Sequence, residues 1–388
     1  GPAVHVLDAS RSVPVTGSLL GENKEEFFAE IRAEYEKLRT DHLNRNKEKK
    51  YISIQAAREN KHKSVWSGYT IAPPDFLGNK LFYDYPLEEI AQYIDWTPFF
   101  QTWEMKGRYP KLLDDPQIGH EARKLFDDAQ KLLKEVIENK SLEARAVIGF
   151  YPANTVDDDT IVVFKDEKRT KELTRFHTLR QQGQKASNLP NLSFADFIAP
   201  LDTGVSDYIG GFAVTAGIGI ENLIEKYQKD HDDYNIIMIK AIADRLAEAF
   251  TELLHKKVRQ EFWGYASDES LENEELIQEK YQGIRPAPGY PGCPDHTEKI
   301  TLFQLLRPEE SGITLTENLA MYPASSVSGF YYSHPDSKYF GLGKILQDQV
   351  QDIAERKNMA VKELERWLSP NLNYDADTSE VEVVQVKS

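Results

Sequence analysis

The chain holds one cysteine, Cys293, among 388 residues. A single thiol excludes an internal disulfide framework and any site built from several thiolates of this chain, and a reducing, cytoplasmic setting suits it. Basic charge is also scarce: 47 Lys and Arg stand against 63 Asp and Glu, a formal charge of -16. The overall field repels phosphate backbones and anionic lipid, which makes nucleic acid and membrane surfaces poor partners. No apolar run approaches the ~20 residues of a membrane-spanning helix, and no signal-peptide pattern opens the chain. What is present is a globular composition, 40% hydrophobic and 11% aromatic, enough for a sizeable core.

The pattern of elements comes next. Ala3 to Ser10 reads as a short buried strand, with β-branched residues ahead of Asp8 and Ser10. Glu22 to Leu43 places Phe27, Phe28, Ile31, Tyr35 and Leu38 at helical intervals among Glu, Lys, Arg and Ala, and predicts an amphipathic helix. One strand and one helix cannot bury a core by themselves. Residues 1–45 are therefore expected to be the end of an upstream domain plus a connecting helix, and residues 46–388 one large domain.

Within that domain, short helical pieces punctuated by prolines follow Tyr51, and the aromatic run Tyr93 to Phe100 is expected to be buried. Ala146–Tyr151 and Thr160–Phe164 predict a hairpin, and Tyr208–Gly217 a further strand. Asp232 to Tyr265 repeats Ile236, Ile239, Ala243, Leu246, Phe250, Leu253, Val258 and Phe262 near a 3.6-residue period with no proline, which predicts a long helix. Ile300–Leu306 reads as a short helix, Ala320–Lys344 as two strands about a turn at His334–Ser337, and Asp348–Trp367 as helical, with an acidic tail after Tyr374. Strands and helices alternate without a strict βαβ order. The expected class is α+β: a single large domain with a twisted antiparallel sheet and flanking helices, preceded by a linker helix.

The segment richest in chemistry is Gly283 to Lys299, Gly-Ile-Arg-Pro-Ala-Pro-Gly-Tyr-Pro-Gly-Cys-Pro-Asp-His-Thr-Glu-Lys, with prolines at 286, 288, 291 and 294. Each proline fixes φ and removes a donor, so the segment is held extended with its carbonyls and amides at set intervals. Such a ribbon can bind a ligand through its main chain, or simply space two elements. Arg285 at its head offers a fork for a carboxylate, and Tyr290 a phenol at its far end.

The Arg-Pro-Ala-Pro-Gly-Tyr run resembles the signature of the activation domain of cobalamin-dependent methionine synthase. Further blocks resemble that family in order along the chain: Asp8–Val13, Tyr93–Phe100, Phe194–Pro200, Asp244–Phe250 and Ser333–Phe340. The resemblance implies a reactivation domain, part of a methyltransferase of methionine biosynthesis. It would bind S-adenosylmethionine so that inactive cob(II)alamin, held by an upstream domain of the same polypeptide, is reductively methylated to methylcobalamin. A flavodoxin-like or diflavin reductase would supply the electron. By motif match Arg285, Ala287 and Gly289 would contact S-adenosylmethionine with Asp95, Tyr339 and Phe340, while Glu248 and Glu279 sit in matching blocks nearby. Tyr290 resembles the tyrosine that faces the cobalamin. The ligand's amino group and ribose need acceptors, its carboxylate a donor fork, and its sulfonium favours aromatic faces.

An Asp-x-His-x-x-Gly element, the family's means of ligating cobalt, is missing, as is a cysteine set for zinc, so this chain by itself is not expected to form methionine. No general base is required, because the sulfonium is already an activated donor. The alternative is an interaction module that docks the cobalamin domain and a reductase with little methyl-donor binding of its own. Asp244, Glu248 and His255 share one helical stripe and could ligate a metal, but a polar face is the better reading because no second histidine lies at metal-site spacing. His296 and His334 sit in proline-bounded turns, where fixing the loop is the commoner role. Lys165 to Lys185 carries seven Lys or Arg against three acids, a place where an acidic electron-transfer protein can dock, with a solvated face as the plainer reading.

Overall fold

The computed structural model describes residues 4, 9–21, 24–47, 50–66 and 71–376. They separate into two compact units, one of Gly1–Ile52 with Gly183–Ala186, the other of Ser53–Gln182 with Ser187–Ser388. The first unit contains helices Ala9–Leu20 and Lys24–Lys47. Glu25 and Glu26 lie in the first turn of the second helix, where carboxylates favour the positive end of the helix dipole. The strand expected over residues 3–10 falls mostly outside the described residues, and Ala9 and Ser10 are helical. Tyr51 bridges Gly183 and the Gln184 amide donates to Lys50 O at 2.8 Å, which completes this unit.

The second unit is built on strands β1 (Gly78–Tyr85), β2 (Glu143–Val156), β3 (Thr160–Phe164), β4 (Glu172–His177), β5 (Asp207–Ile218), β6 (Thr314–Leu315), β7 (Met321–Tyr322) and β8 (Ser326–Tyr331). Every pairing is antiparallel, with order β4-β3-β2-β5-β8, while β6 and β7 form a separate pair. One edge of β2 carries β5. The other is shared, residues Ala144–Phe150 by β1 and Ala153–Val156 by β3. The expected hairpin is β2–β3, turned by Asp157 and Asp158 at positive φ, a conformation that short polar side chains tolerate.

Alternate residues of the central strands enter different cores. Ala144, Ala146, Ile148 and Phe150 of β2 face one, and Val147, Tyr151 and Ala153 the other; β5 divides likewise, with Phe212 and Val214 against Ile209 and Ala213. The sheet is thus covered on both faces. That is why its strands read as unbroken apolar runs and not as the half-polar alternation of a one-sided antiparallel sheet.

The long helix Asp233–Lys257 packs on the first face, capped by the Asp232 carboxylate, which accepts from the Asn235 amide at 3.0 Å. Met238, Ile242, Leu246, Phe250 and Leu253 form its buried stripe. The expected helix to Tyr265 instead changes to a π turn at Val258–Phe262, which lets the fully buried Arg259 pair with Glu269. Beside it lies Gly119–Glu138, a 20-residue helix that buries Ala122, Leu125, Ala129, Leu132, Leu133 and Val136, where only short pieces were expected. Helix Glu298–Leu306 covers the second face. Helices Gln347–Lys357 and Val361–Leu368, parted by Asn358 at positive φ, close a third core around Ile345, Val350 and Leu364.

One expectation fails outright. Among the described residues no strand follows the turn at His334–Ser337, so there is no hairpin about it. The upstream partner position of β8 is taken by β5 and its other edge by residues 284–286, so the segment after the turn has no sheet edge to join.

Candidate functional site

Gly283 starts the prolyl ribbon at φ +84, where an added Cβ would lie 2.7 Å from Tyr332 O; only glycine allows so close an approach of the two backbones. Ile284 and Tyr332 then exchange amide and carbonyl at 3.0 Å each way, and the Phe330 amide donates to Pro286 O at 2.9 Å. Residues 284 and 286 therefore face β8. By strand alternation residues 285 and 287 present their polar groups to the opposite edge, where the Arg285 amide donates to Tyr339 OH at 3.0 Å. Pro286 and Pro288 contribute no donors, so the ladder stops and the ribbon turns: the Tyr290 amide donates to Ala287 O at 3.2 Å and the Gly289 amide to Cys293 O at 2.7 Å. Gly289 is required here at φ +102, since a Cβ would stand 2.5 Å from the His296 ring.

Against this outer edge lies a cavity of about 430 Å³, within the roughly 300–1,000 Å³ usual for small-molecule sites. Of the residues expected to bind ligand, Arg285, Ala287, Tyr290, Tyr339, Phe340, Glu248 and Glu279 line it. Gly289 lines an adjoining recess of about 140 Å³ that shares Glu248, Ala287 and Tyr290 with the cavity. Asp95 lines neither; its carboxylate accepts from the Thr97 amide at 2.9 Å, at the start of the short helix Thr97–Thr102. The sequence reading missed Phe194, Thr251, Pro286, Gly292 and Cys293 as lining residues. Thr251 lies one turn past Glu248, so the helical period carried that signal. Phe194 stands 91 positions before Arg285; it opens one of the blocks that resemble the family, but no local period ties it to the ribbon.

The guanidinium of Arg285 is engaged within the protein. Its Nη2 meets Glu252 Oε2 at 2.7 Å, and its Nη1 donates to Tyr281 OH at 2.6 Å and to His255 Nδ1 at 3.2 Å. Burial works against the Arg285 charge, but Glu252, then Tyr281, Tyr339 and Glu248, outweigh it and push the pKa up. His255 is fully buried, and burial, with Arg259 and Arg285 beside it, holds its pKa well below the usual value. The ring is neutral and accepts at Nδ1, so Nε2 carries the hydrogen, 3.5 Å from Tyr265 OH. The expectation of a free fork at Arg285 is corrected by this geometry: both terminal nitrogens already have partners.

The stripe of Asp244, Glu248 and His255 does not act together. Asp244 accepts from Ser325 OH at 2.7 Å, Glu248 borders the cavity and His255 lies buried behind Arg285. Among the described residues no three His, Cys, Asp or Glu side chains converge as a metal site. Burial raises the Cys293 thiol well above its ordinary pKa, so it lacks the thiolate a nucleophile needs. His334 holds its turn, accepting the Asp336 amide at 3.1 Å and packing on Trp66.

The basic stretch is smaller in space than in sequence. Arg180 is wholly buried between Asp159 and Asp196, Arg169 donates to Asn154 and to the Asp207 carbonyl, and Arg175 pairs with Glu172. Lys165, Lys168 and Lys171 remain exposed in the second unit.

Residues 86–358 match the family model described as vitamin B12 dependent methionine synthase, activation domain. The chain belongs to that family. A solved structure, described as the crystal structure of the MetH reactivation domain bound to AdoHcy, is 50% identical; the match covers 84% of this chain and 99% of that one, with a TM-score of 0.81. The α+β architecture is shared, and the family is part of cobalamin-dependent methionine synthase, a methyltransferase. The prolyl ribbon, β8 and the acidic stretch of the long helix all fall inside the matched region of the activation domain. Among the described residues no helix is long and apolar enough to cross a membrane.

Proposed function

We propose that this activation domain binds S-adenosylmethionine in the cavity beside the prolyl ribbon and presents its methyl group to a cobalamin carried by an upstream domain of the same polypeptide. The observation that carries the reading is the outer edge of the ribbon. The Arg285 carbonyl and the Ala287 amide, which hydrogen-bond to no other described residue, form an acceptor and a donor on one extended edge, the pairing an adenine ring offers in reverse. Tyr339 and Phe340 supply aromatic faces suited to a sulfonium, and Glu248 and Glu279 supply acceptors for an ammonium or a ribose.

Cobalamin supplies the cobalt that accepts the methyl. This chain contributes position alone: its ribbon is rigid before ligand arrives, so little ordering entropy remains to oppose binding. Tyr290 stands on the rim, 58% exposed, placed to meet a docked partner. Asp95 is proposed to join the ligand only if its segment closes on the cavity. Residues 1–45 are proposed to be the end of the cobalamin domain with its connecting helix. A flavodoxin-like or diflavin reductase is the proposed electron donor, with the exposed lysines around Lys168 as its contact, and the cytoplasm as the setting. The chain alone is not expected to form methionine. Calorimetric titration of the chain with S-adenosylmethionine tests the reading: saturable one-to-one binding is expected, and no heat at millimolar ligand would refute it.

A further inference from the structure

At the far end of the long helix the second unit holds another cavity, of about 460 Å³ and open at the surface. Three helices wall it. Trp103 caps the end of the short helix Thr97–Thr102, and Met105 lies in the turn that follows. Glu121, Lys124, Leu125 and Asp128 stand on one face of helix Gly119–Glu138, and Tyr234 comes from the first turn of the long helix. The cavity shares no lining residue with the one beside the ribbon. Glu248 of that other site lies 14 residues further along the same helix, about 21 Å at 1.5 Å per residue.

Its wall is aromatic and acidic. The rings of Trp103 and Tyr234 stand 5.1 Å apart, tilted by 55°, and Tyr234 OH donates to Asp128 Oδ2 at 2.9 Å, which holds that carboxylate beside the rings. Neither Asp128 nor Glu121 is in an ion pair among the described residues, and neither is Lys124, the cation of the same wall. Two acids against one base leave a surplus of negative charge. Elsewhere the chain covers half-buried rings with its own ammonium groups: Lys80 Nζ lies 4.5 Å from the centre of Phe262, and Lys256 Nζ 5.4 Å from that of Tyr93. Over Trp103 and Tyr234 no ammonium or guanidinium of the described residues takes that place. The indole N–H of Trp103 is also buried with no acceptor among them, a donor left unmet at a cost in free energy.

We propose that this cavity is a second ligand site, separate from the one beside the ribbon, and that it takes a small organic cation, a substituted ammonium carried on an apolar body. The cation lies against the faces of Trp103 and Tyr234, where the ring quadrupoles attract it, and Asp128 and Glu121 supply its counter-charge. Met105 and Leu125 receive the apolar part. The volume is within the roughly 300–1,000 Å³ of small-molecule sites. A bare metal ion is a poorer fit, because no three His, Cys, Asp or Glu side chains converge among the described residues and aromatic faces are not oxygen ligands. An anion meets the surplus of negative charge, and a neutral apolar ligand leaves both carboxylates without a counter-charge.

The test is a titration of the whole chain with choline, followed at the indole N–H resonance of Trp103 in proton–nitrogen correlation spectra. The comparison is dimethylbutanol, the uncharged alcohol of the same shape, and Trp103→Phe identifies the resonance by its loss. Choline is expected to shift that resonance saturably, and the alcohol to bind about fivefold more weakly. Asp128→Asn and Glu121→Gln should each weaken choline by about twofold to threefold. Glu121 is exposed and Asp128 half-buried, so both variants should fold. Saturating S-adenosylmethionine should leave choline binding unchanged, which keeps this site and the reading of the ribbon cavity independent of each other. No saturable shift up to about 50 mM choline, equal affinity for the alcohol, unchanged affinity in both acid variants, or competition with S-adenosylmethionine overturns the proposal.

Discussion

Replacing Arg285 by alanine should damage stability and ligand affinity through different contacts, and the two effects can be pulled apart. Glu252 accepts from Arg285 through Oε2, while its Oε1 is buried with no partner. Removing the guanidinium leaves a carboxylate of 9% side-chain exposure without a counter-charge, a change that typically costs about 3–5 kcal/mol when a buried pair is broken from one side. The low end, about 3 kcal/mol, is expected here, because the pair borders the cavity and water can enter after truncation. Affinity should fall only by the value of positioning the ribbon head, about 1 kcal/mol, since the Ile284–Tyr332 and Pro286–Phe330 backbone bonds remain to hold the ribbon. Adding Glu252→Gln to Arg285→Ala removes the stranded charge. Urea denaturation should then recover at least half of the lost stability, whereas calorimetry should show no recovery of S-adenosylmethionine affinity. If Arg285→Ala unfolds at the same urea concentration as the parent, or the double variant is no more stable than the single one, the buried pair does not have the role assigned to it.

Gly329→Ala in β8 would place its Cβ 2.6 Å from Pro286 O, so the ribbon must move outward; a stability loss of about 1–3 kcal/mol is expected, with weaker S-adenosylmethionine binding in the same titration. Burial, reinforced by Arg356, Lys357 and Arg175, lowers the pKa of His177 from 6.5 to about 4. The folded state then binds fewer protons than the unfolded one between those values, so stability is full above pH 6.5 and is lost as pH falls toward 4. The loss is at most about 3 kcal/mol and less after solvent screening, and His177→Gln should flatten that part of the urea midpoint against pH curve. Tyr290→Ala removes a rim side chain that is 58% exposed; S-adenosylmethionine affinity should change by less than about threefold, while remethylation in the presence of the cobalamin domain should fall by more, and equal losses in both assays would contradict a partner-facing role.

How much of this was legible in the amino-acid order follows the range of each interaction. Proline restricts its own φ and glycine permits its own positive φ, so the ribbon from Gly283 to Lys299 and its extended form could be read directly. The period of Ile239, Leu246, Phe250 and Leu253 likewise announced the long helix. Helix Gly119–Glu138 had the same kind of signal in Leu125, Ala129, Leu132 and Val136, overlooked among the nearby prolines. Strands β1 and β4 had little, because Lys80, Asp84, Glu172 and Arg175 give these outer strands no apolar run; they are strands because β2 and β3 offer them an edge.

The site divides along the same line. Residue types pointed to Arg285 and Tyr290, a fork and a phenol on the stiff ribbon, whereas Glu248 and Tyr339 were expected only through the family resemblance. Only the tertiary structure decided what Arg285 does with its charge. Glu252 lies 33 residues before it and His255 lies 30 before it, distances over which no local preference acts. Packing the long helix on the sheet brings those groups within 3.2 Å of the guanidinium, and the low dielectric there makes an unpaired charge costly enough to fix the pairing. The sequence by itself determined the stiff ribbon and the inventory of groups around it; the fold determined which of those groups remain free to meet a ligand.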